Sequence, residues 1–141
     1  TIRLFKNRKD IDKICIMDGE LPSADDEIAI DRMYADNNKL KVGDSLTVGG
    51  KKLKITGLVA LSDHSALYSN PSDMMFDALK FGVAIVTDTL FDDYGEADLH
   101  YSYSWKYDKT PADDEEAQDM AVYSGILKSG DTFYRRRYKG R

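Results

Sequence analysis

The sequence has one cysteine, Cys15. A lone thiol cannot close a disulfide within the chain or build a cysteine-rich zinc site. In the run Ile14-Cys15-Ile16-Met17 it is expected to be a small buried hydrophobe. Histidine is nearly as scarce: His64 and His100 stand far apart, and neither has a second His or a Cys two to four residues away. A zinc site needs three or four converging ligands, so no transition-metal site is expected. No apolar run approaches the ~20 residues that span a bilayer as a helix. Repeats, low-complexity stretches and the apolar core of a signal peptide are missing too. The chain opens Thr1-Ile2-Arg3 without a methionine, and is expected to be a piece of something longer. What is present is ordinary globular composition: 42% hydrophobic and 32% charged over 141 residues. Disorder, collagen and a disulfide scaffold are thereby excluded. The length suits one domain, residues 1–141, burying roughly 70% of its unfolded surface.

The net charge is −5 and unevenly placed. The last seven residues, Arg135 to Arg141, hold five of the twenty basic side chains and no acid. The remainder carries fifteen bases against twenty-five acids. An acidic body repels phosphate backbones, so nucleic acid is not an expected partner. The basic end reads first as a solvated strand end or frayed terminus. It could also touch anionic headgroups, through Arg135, Arg136 and Arg137.

Glycine, proline and asparagine punctuate the rest. A short strand opens the chain, followed by a polar turn at Lys6–Asp10. The segment Ile11–Met17 has spacing compatible with helix or strand. Glu27–Ile30 reads as a short strand, and Asp31 as the cap of a helix running to about Leu40. Val42-Gly43-Asp44 is a turn, with Asp44 able to bind its own following amides. Ser45–Val48 and Lys51–Leu61 form a hairpin about Gly49-Gly50. Leu53, Ile55, Gly57 and Val59 are expected on one face of the second strand, and Gly57 marks a bulge or a close backbone approach. Pro71 starts a helix with Met74, Met75, Phe76 and Leu79 on its apolar side, which Gly82 can end. Val83–Thr87 is a strand, and Asp88 is expected to cap a short helix reaching Gly95. Leu99, Tyr101, Tyr103, Trp105 and Tyr107 alternate with polar residues and form the strongest strand pattern in the chain. Thr110-Pro111 opens a helix with acids in its first turns, ending at Gly130. Residues 131–138 form a closing strand. The fold class is α+β: a mixed or antiparallel sheet with hairpins, and several short helices packed on it.

Tests for chemistry give structural readings throughout. Asp92, Asp93, Glu96 and Asp98 miss the spacing of a calcium loop, having Tyr94 where that loop needs an oxygen ligand. Asp25-Asp26-Glu27 reads as a solvated loop. Asp63-His64-Ser65 are sequence neighbours, whereas triads draw their members from separate elements. There is no Gly-x-Ser-x-Gly elbow, Walker loop or dinucleotide fingerprint. Gly49-Gly50 beside Lys51-Lys52 could hold a phosphate, but a hairpin turn accounts for it. No catalytic residue, metal ligand or cofactor is expected. Tyr101, Tyr103 and Trp105 could offer a stacking platform, or else one face of a packed sheet. Tyrosine favours protein interfaces, so these three join the arginines as candidate contact residues.

Four pieces then occur in order: Gly19-Glu20-Leu21-Pro22, Glu27-Ile28-Ala29-Ile30, Val42-Gly43-Asp44-Ser45-Leu46 and Lys54-Ile55-Thr56-Gly57-Leu58-Val59. This series resembles the extracytoplasmic domain, the MacB-like periplasmic core, of FtsX-like ABC transporter permeases. The resemblance covers residues 14–61 best and extends loosely through the Pro71 segment and Val83–Thr87. Residues 98–141 diverge from it. The motif marks a fold and brings no catalytic residues.

The resemblance implies a bacterial domain on the outer face of the cell membrane, inserted between membrane helices of a parent permease. Its expected partners are an ABC ATPase subunit, reached through the membrane region, and an extracellular protein, peptide or lipoprotein. A dimer in the full transporter is a further expectation. The domain would be non-catalytic, converting ATP-driven movement into binding or release of a substrate or partner. The alternative is a binding module of a soluble or surface protein, with its ligand on the Tyr101–Tyr107 strand. A free-standing enzyme would need a pocket of converging polar groups, which the sequence does not show.

Overall fold

The computed structural model describes residues 1–9, 12–62, 80–95, 99–106 and 132–139, and only the backbone for 100–106 and 132–139. Its elements are β1 (Ile2–Lys6), β2 (Ile14–Gly19), β3 (Glu27–Asp31), α1 (Arg32–Asn38), β4 (Ser45–Val48), β5 (Lys51–Leu61), β6 (Gly82–Val86), α2 (Asp88–Asp93), β7 (Leu99–Lys106) and β8 (Thr132–Lys139). The helices expected after Pro71 and Pro111 lie outside the described residues, as do Asp63, His64 and Ser65. The chain divides into two compact units, residues 1–100 with 137–141, and residues 101–136.

In the first unit the strands run β2-β5-β3-β6-β1, and β4 pairs with the first part of β5. The sheet is mixed, as expected of an α+β fold. β1–β6 and β3–β5 are parallel, while β2–β5, β3–β6 and β4–β5 are antiparallel. Tyr138 and Lys139 of β8 pair antiparallel with Phe5 and Leu4. The second unit contains residues 101–106 of β7 and 132–136 of β8, whose strands are hydrogen-bonded neighbours.

The central strands are apolar on both sides because both faces of this sheet are covered. On one face Leu4, Ile28, Ile30, Leu53, Ile55, Ala84 and Val86 pack with Ala35 of α1 and Leu90 and Phe91 of α2. On the other lie Phe5, Ala29, Val59, Leu61, Phe81, Val83 and Ile85. β5 contributes to both because it changes face part-way along. Opposite it, Ile28 aligns with Ile55 but Ala29 with Gly57, so Thr56 is an extra residue in the register. Leu53 and Ile55 therefore point to the first face and Val59 and Leu61 to the second. Unbroken alternation from Leu53 to Val59 does not hold; a bulge inserts one residue and inverts everything after it.

The helix ends depart from expectation in small ways with clear causes. Asp31 caps α1, its carboxylate accepting from the Tyr34 amide at 3.0 Å. The helix stops at Asn38 because Lys39 turns left-handed, with φ of 57°. At α2 the cap is Thr87 rather than Asp88: the Thr87 hydroxyl accepts from the Leu90 amide, and Asp88 is the first helical residue. A carboxylate one position into the helix still meets the positive end of its dipole. Gly82 is the first residue of β6, where a Cβ would collide with the Tyr34 ring; the helix it was expected to end lies outside the described residues. Asp44 binds backward, accepting from the Lys41 amide at 2.9 Å, and not from the amides that follow it.

Candidate functional site

β5 is long enough to be shared along one edge. β4 occupies its first residues, Lys51 to Lys54, and β2 its last, Gly57 to Leu61. Between the two is a notch. There the Gly43 amide donates to the Ile55 carbonyl and the Ile55 amide to the Asp44 carbonyl, both at 2.8 Å. On the β2 side the Glu20 amide donates to the Thr56 carbonyl at 2.9 Å. Gly19 and Gly57 let the chains cross this closely: a Cβ on Gly19 would meet the Thr56 carbonyl, and one on Gly57 the Glu20 carbonyl. The Gly57 expectation thus holds in both its forms, bulge and close approach.

A groove of about 650 Å³ opens at this margin, lined by Asp18, Asp36, Lys39, Leu40, Lys41, Val42 and Leu58. Leu40, Val42 and Leu58 give it an apolar floor between two carboxylates and two ammonium groups. Beside it runs β2, the end strand of the first unit's sheet, hydrogen-bonded to β5 alone among the described strands. Its side chains from Cys15 onward are exposed. Cys15 is therefore not the buried hydrophobe expected: on an end strand only Ile14 reaches a core cluster, and Cys15 faces outward. The exposed large hydrophobics among the described residues are Ile16 (48%), Met17 (51%) and Val42 (39%), all on β2 or the groove beside it. Exposed apolar groups rimmed by charge are the surface chemistry of docking.

Elsewhere several charged residues hold the fold. Glu27 closes the turn before β3: its carboxylate accepts from the Ser23 amide, the Ala24 amide and the Ser23 hydroxyl at 2.8–3.1 Å. The two backbone amides hold its pKa below the ordinary carboxylate value. The Thr87 hydroxyl donates to the Asp25 carboxylate. Asp25 and Asp26 are exposed, as a solvated loop would have them, and the Glu27 carboxylate adds an ordered turn. Asp92 pairs with Lys6 at 2.9 Å, and Asp93 with Lys51, whose ammonium holds the Asp93 pKa down. Among the described residues no three His, Cys, Asp or Glu side chains gather as metal ligands. Gly49 is backed by the Tyr94 ring, whose hydroxyl donates to the Val48 carbonyl at 2.7 Å, and Lys51 lies over that ring. The Gly-Gly turn is therefore built against α2. Burial in this corner raises the Tyr94 pKa, and burial likewise raises that of Tyr34.

Of the contact residues read from the sequence, Tyr101, Tyr103 and Trp105 lie on β7, and Arg135, Arg136 and Arg137 on β8. The fold makes these two strands neighbours, an adjacency the sequence pattern did not suggest. Of the basic segment, Arg135 to Lys139 lie on β8, and Gly140 and Arg141 lie outside the described residues. The β2 margin was missed altogether. An apolar run such as Ile14–Met17 reads the same at the edge of a sheet as at its centre, and no local signal separates the two.

The chain matches no family model, no curated protein and no solved structure with which it was compared. No helix among the described residues is long and apolar enough to cross a membrane.

Proposed function

We propose that this chain is the extracytoplasmic domain of an FtsX-like ABC transporter permease, a non-catalytic module that couples movement of the membrane helices to an extracellular protein, peptide or lipoprotein. The observation that carries this reading is the convergence of the four motif pieces. Scattered over residues 19–59, they meet on one stretch of β5. Gly19 and Glu20 abut Thr56 and Gly57; Glu27 and Ile28 pair with Lys54 and Ile55; Gly43 and Asp44 bond to Ile55. A series that resembles a family signature thus behaves as one structural unit, which unrelated coincidences of short motifs would not require. The ATPase would act from the cytoplasm. The domain would respond by differential contacts, favouring the partner-bound state in one phase of the cycle over the other.

Reading the gene on either side of this segment tests the proposal. Apolar stretches of ~20 residues flanking it on both sides, with the complete product co-purifying with an ABC ATPase, are the expected result. Polar flanks and no ATPase would overturn it and turn attention to Tyr101, Tyr103 and Trp105 of β7 as a ligand surface, Tyr107 of that expected strand lying outside the described residues.

A further inference from the structure

We infer that β2 is a self-association surface, pairing antiparallel with β2 of a second copy about a two-fold axis at Cys15. This does not depend on the membrane reading. The inference starts from the bulge in β2. Cys15 pairs with Ala60, Ile16 with Val59 and Asp18 with Leu58, so Met17 is the extra residue. With Met17 out of register, the rungs along β2 are Ile14, Cys15, Ile16 and Asp18, and Lys13, the residue just before the strand, would supply one more on pairing. That order is its own complement when read backward. Two copies related by a two-fold axis at Cys15 place Cys15 beside Cys15, Ile14 beside Ile16, and Lys13 beside Asp18, twice. Only an even register permits this symmetry, because directly opposite rungs in an antiparallel pair alternate in hydrogen bonding. The bulge is what brings the opposite charges into it.

The exposed surface supports the same partner. Ile16 lies on the same side of β2 as Ile14, whose inner part packs on the second core cluster. Pairing would set the Ile14 of one copy against the exposed Ile16 of the other and extend that apolar face across the joint. A bulge commonly protects an end strand by twisting it away from chance partners. A second copy carries the same bulge and the same twist, so the protection does not act against it. Five rungs span only ~17 Å, short of a standard interface. The dimer is therefore weak and concentration-dependent, suited to copies already held near one another.

Charge reversal gives a decisive test. The wild type is followed by sedimentation equilibrium from about 10 µM to about 1 mM, and by copper–phenanthroline oxidation, in which two Cys15 thiols lose their protons and pass two electrons to dioxygen through copper. The expected result is rising association with concentration and a Cys15–Cys15 disulfide. Lys13→Asp alone and Asp18→Lys alone each set like charges together and should lower both signals at least several-fold. An equimolar mixture of the two variants restores both opposite-charge pairs and should recover them. All three residues are exposed, and circular dichroism checks that each variant is folded. Cys15→Ser should lose the disulfide and keep the association. A wild type that stays monomeric at every concentration, a cross-link that ignores charge reversal, or a mixture no better than its components would overturn the inference.

Discussion

At the scale of single residues, the structure turns on what cannot be added to two backbones. Gly57 and Gly19 face each other where the turn after β2 crosses β5, and either would drive a Cβ into a carbonyl oxygen. Gly57→Val should therefore cost about 2–3 kcal/mol through overpacking against an immovable backbone, seen as a fall of roughly 10 °C in melting temperature. Gly50, with φ of 81° and open space around it, is the contrast. Gly50→Asn should leave the melting temperature nearly unchanged, since asparagine tolerates the left-handed region. Equal effects at the two glycines would remove the close crossing from the account. Gly57 was legible in the sequence as a bulge or a close approach. Its crossing partner was not, because contact between residues 20 and 57 is set by how two turns return to β5.

At the scale of elements, several strands and the two described helices followed from apolar spacing and turn chemistry, while Ile11–Met17 was open between helix and strand and the end groups needed geometry. The hairpin β4–β5 was legible to the residue because Gly49-Gly50 sits between two alternating runs. The face change within β5 was not, because a bulge leaves composition untouched and alters only register. The cap of α2 is the sharper example: Thr87 and Asp88 are both good caps, and only the backbone decides between them. Thr87→Val should cost about 1 kcal/mol, whereas Asp88→Ala should cost a few tenths. Melting curves of the two variants separate these, and the reverse order would restore Asp88 as the cap.

The turn before β3 gives the element-scale pH prediction. Glu27 has a pKa below its ordinary 4.5 when folded. Its carboxylate therefore adds stability that is present above the unfolded value and is lost as pH falls through the folded one. The melting temperature of Glu27→Ala should lie below that of the wild type at neutral pH, and the gap should close in acid. A gap that stays constant with pH would mean that the carboxylate's charge contributes nothing to the turn.

At the scale of the whole molecule, the α+β class and the mixed sheet were legible because hydrophobic spacing sets strands and helices, and short turns limit how they connect. The two candidate contact surfaces were not equally legible. Tyr101, Tyr103, Trp105 and Arg135–Arg137 announced themselves by composition, and their strands prove to be neighbours. The β2 margin is defined by what lies beside it in space: among the described residues, β5 is its one strand neighbour, and its side chains from Cys15 onward are exposed.

The central claim is that this chain works on the outer face of a membrane as part of a permease. Protease treatment of intact spheroplasts expressing the complete gene product tests it most directly, with an antibody raised against residues 1–62. The account predicts that the antigen sediments with membranes and is digested by protease added from outside while a cytoplasmic marker survives. An antigen that stays in the soluble fraction, or is cut only after the cells are lysed, would contradict it.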